Sequence, residues 1–214
     1  MINKEELEKN IGGIKEEIKE LFLRLSKIES NRLNYFHQGE QALSSFAEST
    51  QESISVLNQF EALFLRLMGY VILVKEKGHK DPFFQELLMR NKIIERQLIK
   101  VVSLREKQIK IAYALPLASG IKLKYLRWRL QSLLGKERNA VQLIRGAYHH
   151  NQEKVAAIKK MLDDEETKHK IALGVAGAAW LVPVAGTALF GVILIVYDWA
   201  NQFSDNYTRL TNVP

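Results

Sequence analysis

The sequence predicts an all-α fold, an elongated bundle of four to five long amphipathic helices with a C-terminal apolar helix or helical hairpin. Three observations carry this. Breakers are scarce, with 12 Gly and 4 Pro in 214 residues, so runs of Leu, Ile, Lys, Glu and Gln stand uninterrupted. Apolar residues recur at intervals of three and four over most of the chain. Residues 171–197 carry no charge at all.

The first helix is the most regular. Leu7, Ile11, Ile14, Ile18, Leu21, Leu25 and Ile28 are spaced 4-3-4-3-4-3, the seam of a coiled coil or a long bundle helix. Gly12 and Gly13 fall inside it and are expected to loosen or bend it. Glu16, Glu17, Lys19 and Glu20 read as its solvated face, and residues 31–39 as a turn or kink. A second helix over residues 41–77 repeats Leu57, Phe60, Phe64, Leu67, Val71 and Val74 at 3-4-3-4-3. Between Phe60 and Val74 only Glu61 and Arg66 are charged, which predicts burial on most sides. That stretch is too short to span a bilayer, so the centre of a bundle is expected, with a second membrane contact as the alternative. The Ser/Thr-rich residues 44–55 fit an exposed helix face.

Gly78, Asp81 and Pro82 mark a stop and a restart: a helix end, an N-cap and a first helical position. The third helix reaches about Leu115 on a stripe of Leu87, Ile94, Leu98, Val101, Ile109 and Ala112. Pro116 and Gly120 break the chain before a fourth helix, which begins near Ile121 and reaches about Glu166, with Gly135 and Gly146 as soft spots. The expected organisation is a coiled-coil-like helical bundle over 1–168, an apolar membrane-inserting or membrane-spanning segment over 169–200, and a short tail over 201–214. In and before that tail, Trp199, Phe203, Tyr207 and Leu210 suit either an interfacial amphipathic helix or the last turns of a bundle helix.

Charge is uneven. Residues 1–82 hold 11 basic and 13 acidic side chains, residues 83–170 hold 19 and 9, and residues 171–214 hold one and two. The basicity lies in the middle of the chain and suits lipid headgroups, nucleic acid or the acidic N-terminal helices as its partner. In the fourth helix, Lys122, Lys124, Arg127, Arg129 and Lys136 are interleaved with Tyr125 and Trp128. Wound as a helix, Leu123, Leu126, Leu130, Leu133 and Leu134 share one arc, and Ile121, Tyr125 and Trp128 share the opposite one. Rings flanked by cations suit a headgroup layer, and they also suit stacked bases or a fully buried helix. Lys168 and Lys170 extend the expected headgroup contact to the flank of the apolar segment.

That segment is expected to place Ile171, Leu173, Trp180, Leu181, Pro183, Gly186, Leu189, Phe190, Ile193, Ile195 and Tyr197 in lipid. As one helix it would be about 40 Å long, enough to cross a bilayer core of about 30 Å. Pro183 and Gly186 would then kink the span, or turn it into two arms too short to cross alone. The three readings are a permanent span, an insertable hairpin and a buried core hairpin. Gly174 with Ala178, and Thr187 with Gly191, form small-residue pairs that permit self-association.

Enzymatic chemistry finds no foothold in the sequence. With no cysteine there is no thiolate catalysis, no disulfide and no Cys-ligated metal. Nucleotide-binding glycine loops, zinc-protease motifs and nucleophile elbows are absent. Glu76 with His79 and Glu166 with His169 have the spacing of di-iron bundle ligands, but one pair abuts a turn and the other sits in an acidic run. His149 and His150 adjoin and point to different faces. No cofactor and no metal are expected.

The N-terminus is charged from residue 4 and lacks an apolar signal region, which predicts synthesis in the cytosol without a cleaved signal, then membrane association or non-classical secretion. The general plan resembles that of α-helical pore-forming proteins, in architecture and not in any diagnostic motif. The expected function is a non-enzymatic, membrane-inserting bundle that perturbs or perforates a lipid membrane after oligomerising. The alternatives are a tail-anchored tether whose heptad seam binds a helical partner protein and, less favoured, a basic module binding nucleic acid.

Overall fold

Apolar seams with three- and four-residue spacing wind into helices whose inner faces must be covered, and the structure covers them with one another. A computed structural model describes residues 4–76, 82–149 and 181–211. Among these residues it forms α1 (Lys4–Gln38), α2 (Leu43–Glu76), α3 (Pro82–Ala114), α4 (Gly120–His149) and α5 (Leu181–Thr211). Two 3₁₀ turns, Glu40–Ala42 and Leu115–Leu117, link α1 to α2 and α3 to α4. The fold is all-α, as the sequence predicts.

The chain reverses after α1 at Gly39, where φ is 81°, a left-handed backbone that side chains with a Cβ disfavour. The turn therefore falls at the far end of residues 31–39, and α1 stays helical through Gln38. Phe22 meets Phe60 edge-on at 5.0 Å between centroids, and Phe36 meets Phe46 at 5.8 Å, so α1 and α2 are antiparallel. The second reversal uses Pro116 and Gly120, the latter at φ 57°. α5 runs alongside α1 in the same direction: Gly191 abuts the Lys15 stem, Trp199 packs on Phe22 at 5.8 Å, and Phe203 lies under Arg32. Successive helices pack side by side, α5 closes the ring onto α1, and α5 also touches α2 and α3.

Two apolar clusters fill the interior. The larger joins Ile14, Ile18, Leu25, Leu67, Trp199 and Phe203, among others, and the smaller lies under the two turns around Phe46, Leu115, Leu130 and Leu134. Each large side chain removed from water contributes about 1.5–3 kcal/mol. Where the clusters meet, the core turns ionic. Glu29 and Arg32 of α1, Arg105 and Gln108 of α3, and Glu137 of α4 are all at most 1% exposed. Arg32 donates Nε to Glu29 Oε2 at 3.0 Å, Nη1 to Gln108 Oε1 at 2.9 Å and Nη2 to Glu137 Oε1 at 2.6 Å. Arg105 donates Nε to Glu137 Oε1 at 2.9 Å, and its Nη2 lies 2.6 Å from Glu29 Oε1. Gln108 Nε2 donates to Glu137 Oε2 at 2.7 Å. The Arg32 guanidinium lies 5.7 Å from the Phe46 ring and 5.9 Å from the Phe203 ring, so α2 and α5 close the site with aromatic faces.

Two guanidinium cations meet two carboxylates, so the cluster is neutral as a whole. Burial opposes the charge on Arg32, but Glu137 and Glu29 outweigh it and hold the guanidinium above its ordinary pKa. Burial likewise pushes Glu137 up, yet Arg32, Arg105 and the Gln108 amide bring it below the ordinary carboxylate value.

Several expectations are corrected. α1 runs through Gly12 and Gly13 without ending; both face solvent with nothing packed on them. α4 likewise runs unbroken through Gly135 and Gly146 to His149, beyond which the expected extension to Glu166 lies outside the described residues. Thr50 and Ser53 are buried, not on an exposed face, because each hydroxyl is satisfied by a backbone carbonyl one turn back, Phe46 O and Thr50 O, both at 2.6 Å. The second helix is not buried all round: Leu65 and Ile72 are more than half or about half exposed while Phe60, Phe64 and Leu67 face inward. Within the described residues α5 runs as one helix through Pro183 and Gly186, so the chain does not turn there.

Truncating Glu137 to Ala should leave two guanidinium groups buried without their shared carboxylate and destabilise the fold by about 3–5 kcal/mol in chemical denaturation. A cost below about 1 kcal/mol would show that the cluster does not tie the helices. Stability should also fall in acid. A depressed Glu137 pKa contributes stability that is present above its unfolded value of 4.5 and is lost as pH falls through the folded value. Denaturation midpoints measured on both sides of pH 4.5 should show that slope, and Glu137→Gln should flatten it.

Candidate functional site

The site is built on α4. Its inner arc carries Leu126, Leu130, Leu133 and Leu134, all buried, with Ala140, Val141 and Ile144 continuing the stripe. A helix anchored by that arc must turn its opposite arc to water. There Ile121 is 88% exposed, Tyr125 50% and Trp128 61%. The two rings lie 6.1 Å apart at 35°, side by side on successive turns. Leu117, in the turn before α4, is also 88% exposed, and Leu143 extends the apolar line toward the other end of the helix. The leucine face and the aromatic face are thus separated as the sequence predicts, and the fully buried alternative does not hold among the described residues.

Cations surround the rings. Lys122, Lys124, Arg129 and Lys136 are exposed, and they make no ion pair among the described residues. Arg127 is exposed too but is held by Glu40 at the start of the 3₁₀ turn, which ties the N-terminal part of α4 to the α1–α2 reversal. Glu137 is the single acidic residue of α4, and it is buried in the ionic cluster. The outer surface of this helix is therefore purely cationic, with aromatic and aliphatic side chains between the charges. Arg138 is turned away from it, over the Tyr207 ring at 5.1 Å and within 3.3 Å of Thr208 Oγ1.

The expected membrane-inserting residues fall in two groups. Ile171, Leu173 and Trp180 lie outside the described residues, as do Lys168 and Lys170 and the side chains of Leu181, Pro183, Gly186 and Phe190. Leu189 and Ile193 are buried in the core, and Ile195 and Tyr197 are partly buried. In this arrangement the described part of the segment faces other helices, and no helix of the described residues is long and apolar enough to cross a membrane. α5 continues without a break across residues 200 and 201, and Trp199 and Phe203 are buried while Tyr207 and Leu210 are half-buried, so these are bundle turns and not an interfacial tail. Gly191 packs against the Lys15 stem of α1.

The heptad seam is likewise occupied from within. Ile11, Ile14, Ile18, Leu25 and Ile28 are buried in the main cluster and Leu21 is half-buried against it, while the Leu7 side chain is outside the described set. Among the described residues the seam is covered by the other helices of the same chain. The paired Glu-x-x-His motifs fall partly or wholly outside the described residues, and among those described no group of His, Asp and Glu side chains could hold a metal ion.

Sequence reasoning missed the ionic cluster, although a signal was present. Extending each seam by its own spacing, 25-28-32 on α1, 98-101-105-108 on α3 and 130-133-137 on α4, lands on Arg32, Arg105, Gln108 and Glu137. A charge on a seam in three helices at once marks a buried polar layer. The chain matches no family model, and neither a curated protein nor a solved structure matches it.

Proposed function

We propose that this protein is a non-enzymatic helical bundle that engages a lipid membrane, docking through the outer face of α4 and keeping the apolar part of α5 packed in the bundle until contact. The observation that carries the reading is the exposed Tyr125–Trp128 pair on a helix whose outer surface bears cations alone. Rings of this kind favour the headgroup layer, and unpaired cations favour anionic lipid. A second observation bears on insertion. The ionic cluster binds α1, α3 and α4 with charge-assisted bonds; from α5 the Phe203 ring packs on Arg32, and Tyr207 lies near enough to Glu137 to feel its charge. Among the described residues no ion pair of the cluster has a partner on α5. Membrane perturbation would follow from release of α5 with the residues before it, and oligomerisation of the released helices would make a pore. The protein would then be made in the cytosol and work at a membrane surface.

Purified protein should float with vesicles containing phosphatidylglycerol, and Tyr125→Ala with Trp128→Ala should weaken binding at least about tenfold through lost apolar burial. An unchanged affinity would remove α4 as the docking face. Release of α5 is tested by Lys15→Cys with Gly191→Cys, joined by a reducible bis-maleimide bridge between two positions in close approach, the Lys15 stem lying over Gly191. Bridged protein should bind vesicles without releasing a trapped dye, and reduction should restore leakage. Equal leakage with and without the bridge would exclude α5 release as the mechanism.

A further inference from the structure

The surface charge of the bundle differs between its two sides. α3 exposes Lys92, Arg96, Lys100, Lys107 and Lys110. At 100° and 1.5 Å per residue they fall within an arc of about 80° along about 27 Å of helix. α4, the antiparallel neighbour of α3, has the all-cationic outer face described above. On the far side, α1 packs on α2 and α5, and the charge there is mixed: Glu16, Glu17, Glu20, Glu48, Glu52 and Glu61 are exposed together with Lys19, Arg24, Lys27 and Arg66, and Lys19 and Arg24 pair with Glu16 and Glu52. Ile93 and Ile99 stand among these cations and Met89 precedes them, all exposed; Glu106 is exposed beside Lys107, and Tyr113 is exposed one turn past Lys110. Bases need flat faces to stack on, and between Lys92 and Lys110 the exposed apolar side chains are aliphatic. Aliphatic side chains among cations suit the boundary between headgroups and acyl chains.

We infer that the bundle lies flat on an anionic phospholipid bilayer, with α3 and α4 against the headgroups and α1 and α2 toward water. This rests on the membrane reading above and adds to it the lipid class, the second contacting helix and the orientation. An anionic plane attracts the cationic α3 and α4 faces more strongly than the mixed α1 and α2 face, so the approach is oriented before contact is made.

The chain has no cysteine, so a single label can be placed at any chosen position. Ile99→Cys on α3, Leu143→Cys on α4 and Leu23→Cys on α1 are exposed sites for an environment-sensitive fluorophore. The probes are vesicles of phosphatidylcholine with and without phosphatidylglycerol, and a DNA duplex. The emission should shift to the blue at 99 and 143, stay constant at 23, and do so on anionic vesicles alone. Lys92→Gln, Arg96→Gln, Lys100→Gln and Lys107→Gln combined, with an unchanged helical circular dichroism spectrum, should weaken vesicle binding by at least about a hundredfold, since each cation near such a surface contributes about 1 kcal/mol. A shift at 143 with none at 99, and full affinity in the four-cation variant, would overturn flat docking and leave the α4 contact standing. Absence of vesicle binding by the native chain would overturn the membrane reading itself, and with it this inference. Tighter binding of the duplex than of vesicles, lost in the four-cation variant, would assign the α3 face to nucleic acid and also overturn it.

Discussion

Arg32 sits in the middle of the bundle with its three guanidinium nitrogens each bonded to a different side chain: Glu29 on its own helix, Gln108 on α3 and Glu137 on α4. A buried guanidinium tolerates almost no displacement, because each lost bond leaves a charge without compensation in a dry interior. Apolar seams alone would let α1, α3 and α4 slide or rotate by a heptad at modest cost, since leucine on one turn resembles leucine on the next. The ionic cluster removes that freedom. It permits one register, the one that brings residues 32, 105, 108 and 137 to a single level.

The rest of the molecule follows from that register. With Glu137 held inward, the leucine arc of α4 faces the core and Tyr125 and Trp128 must face out. With Arg105 and Gln108 held inward, the lysines and arginine on the opposite arc of α3 must do the same. The interior cluster and the cationic outer walls are therefore two consequences of one constraint. α5 stands apart from this logic. It closes the ring through Leu189, Ile193, Trp199 and Phe203, an apolar and aromatic face, and its contribution to the ionic centre is a ring and not a charge.

This division separates specificity from the apolar driving force. Three helices are aligned by directional, charge-assisted bonds, which carry little net stabilisation but strong discrimination among registers. The fifth is held mainly by burial of large side chains, which contributes more energy and less direction. Among the described residues the helix richest in apolar residues is thus the one least committed to the ionic centre, and the proposed release of α5 rests on this asymmetry.

The helices, their inner faces and the two turns were legible in the sequence because each depends on local order: heptad spacing for α1, Gly and Pro at the reversals, and a leucine arc opposite an aromatic arc on α4. The partition of α4 into core and exposed faces was legible for the same reason. α1 and α4 run on through their glycines because a glycine inside a long, well-packed helix costs only about 1 kcal/mol, which the buried seam outweighs. The polar layer was overlooked because Arg32, Arg105 and Glu137 read singly as surface charges, and only their shared level makes them a core. By itself the sequence determined that charge concentrates in residues 83–170 and that residues 171–197 must avoid water. Tertiary structure alone decided that α3 and α4 lie side by side, making one cationic wall, and that α5 finds its apolar surroundings in other helices. Adjacency and burial are properties of packing between distant segments, which no local spacing encodes.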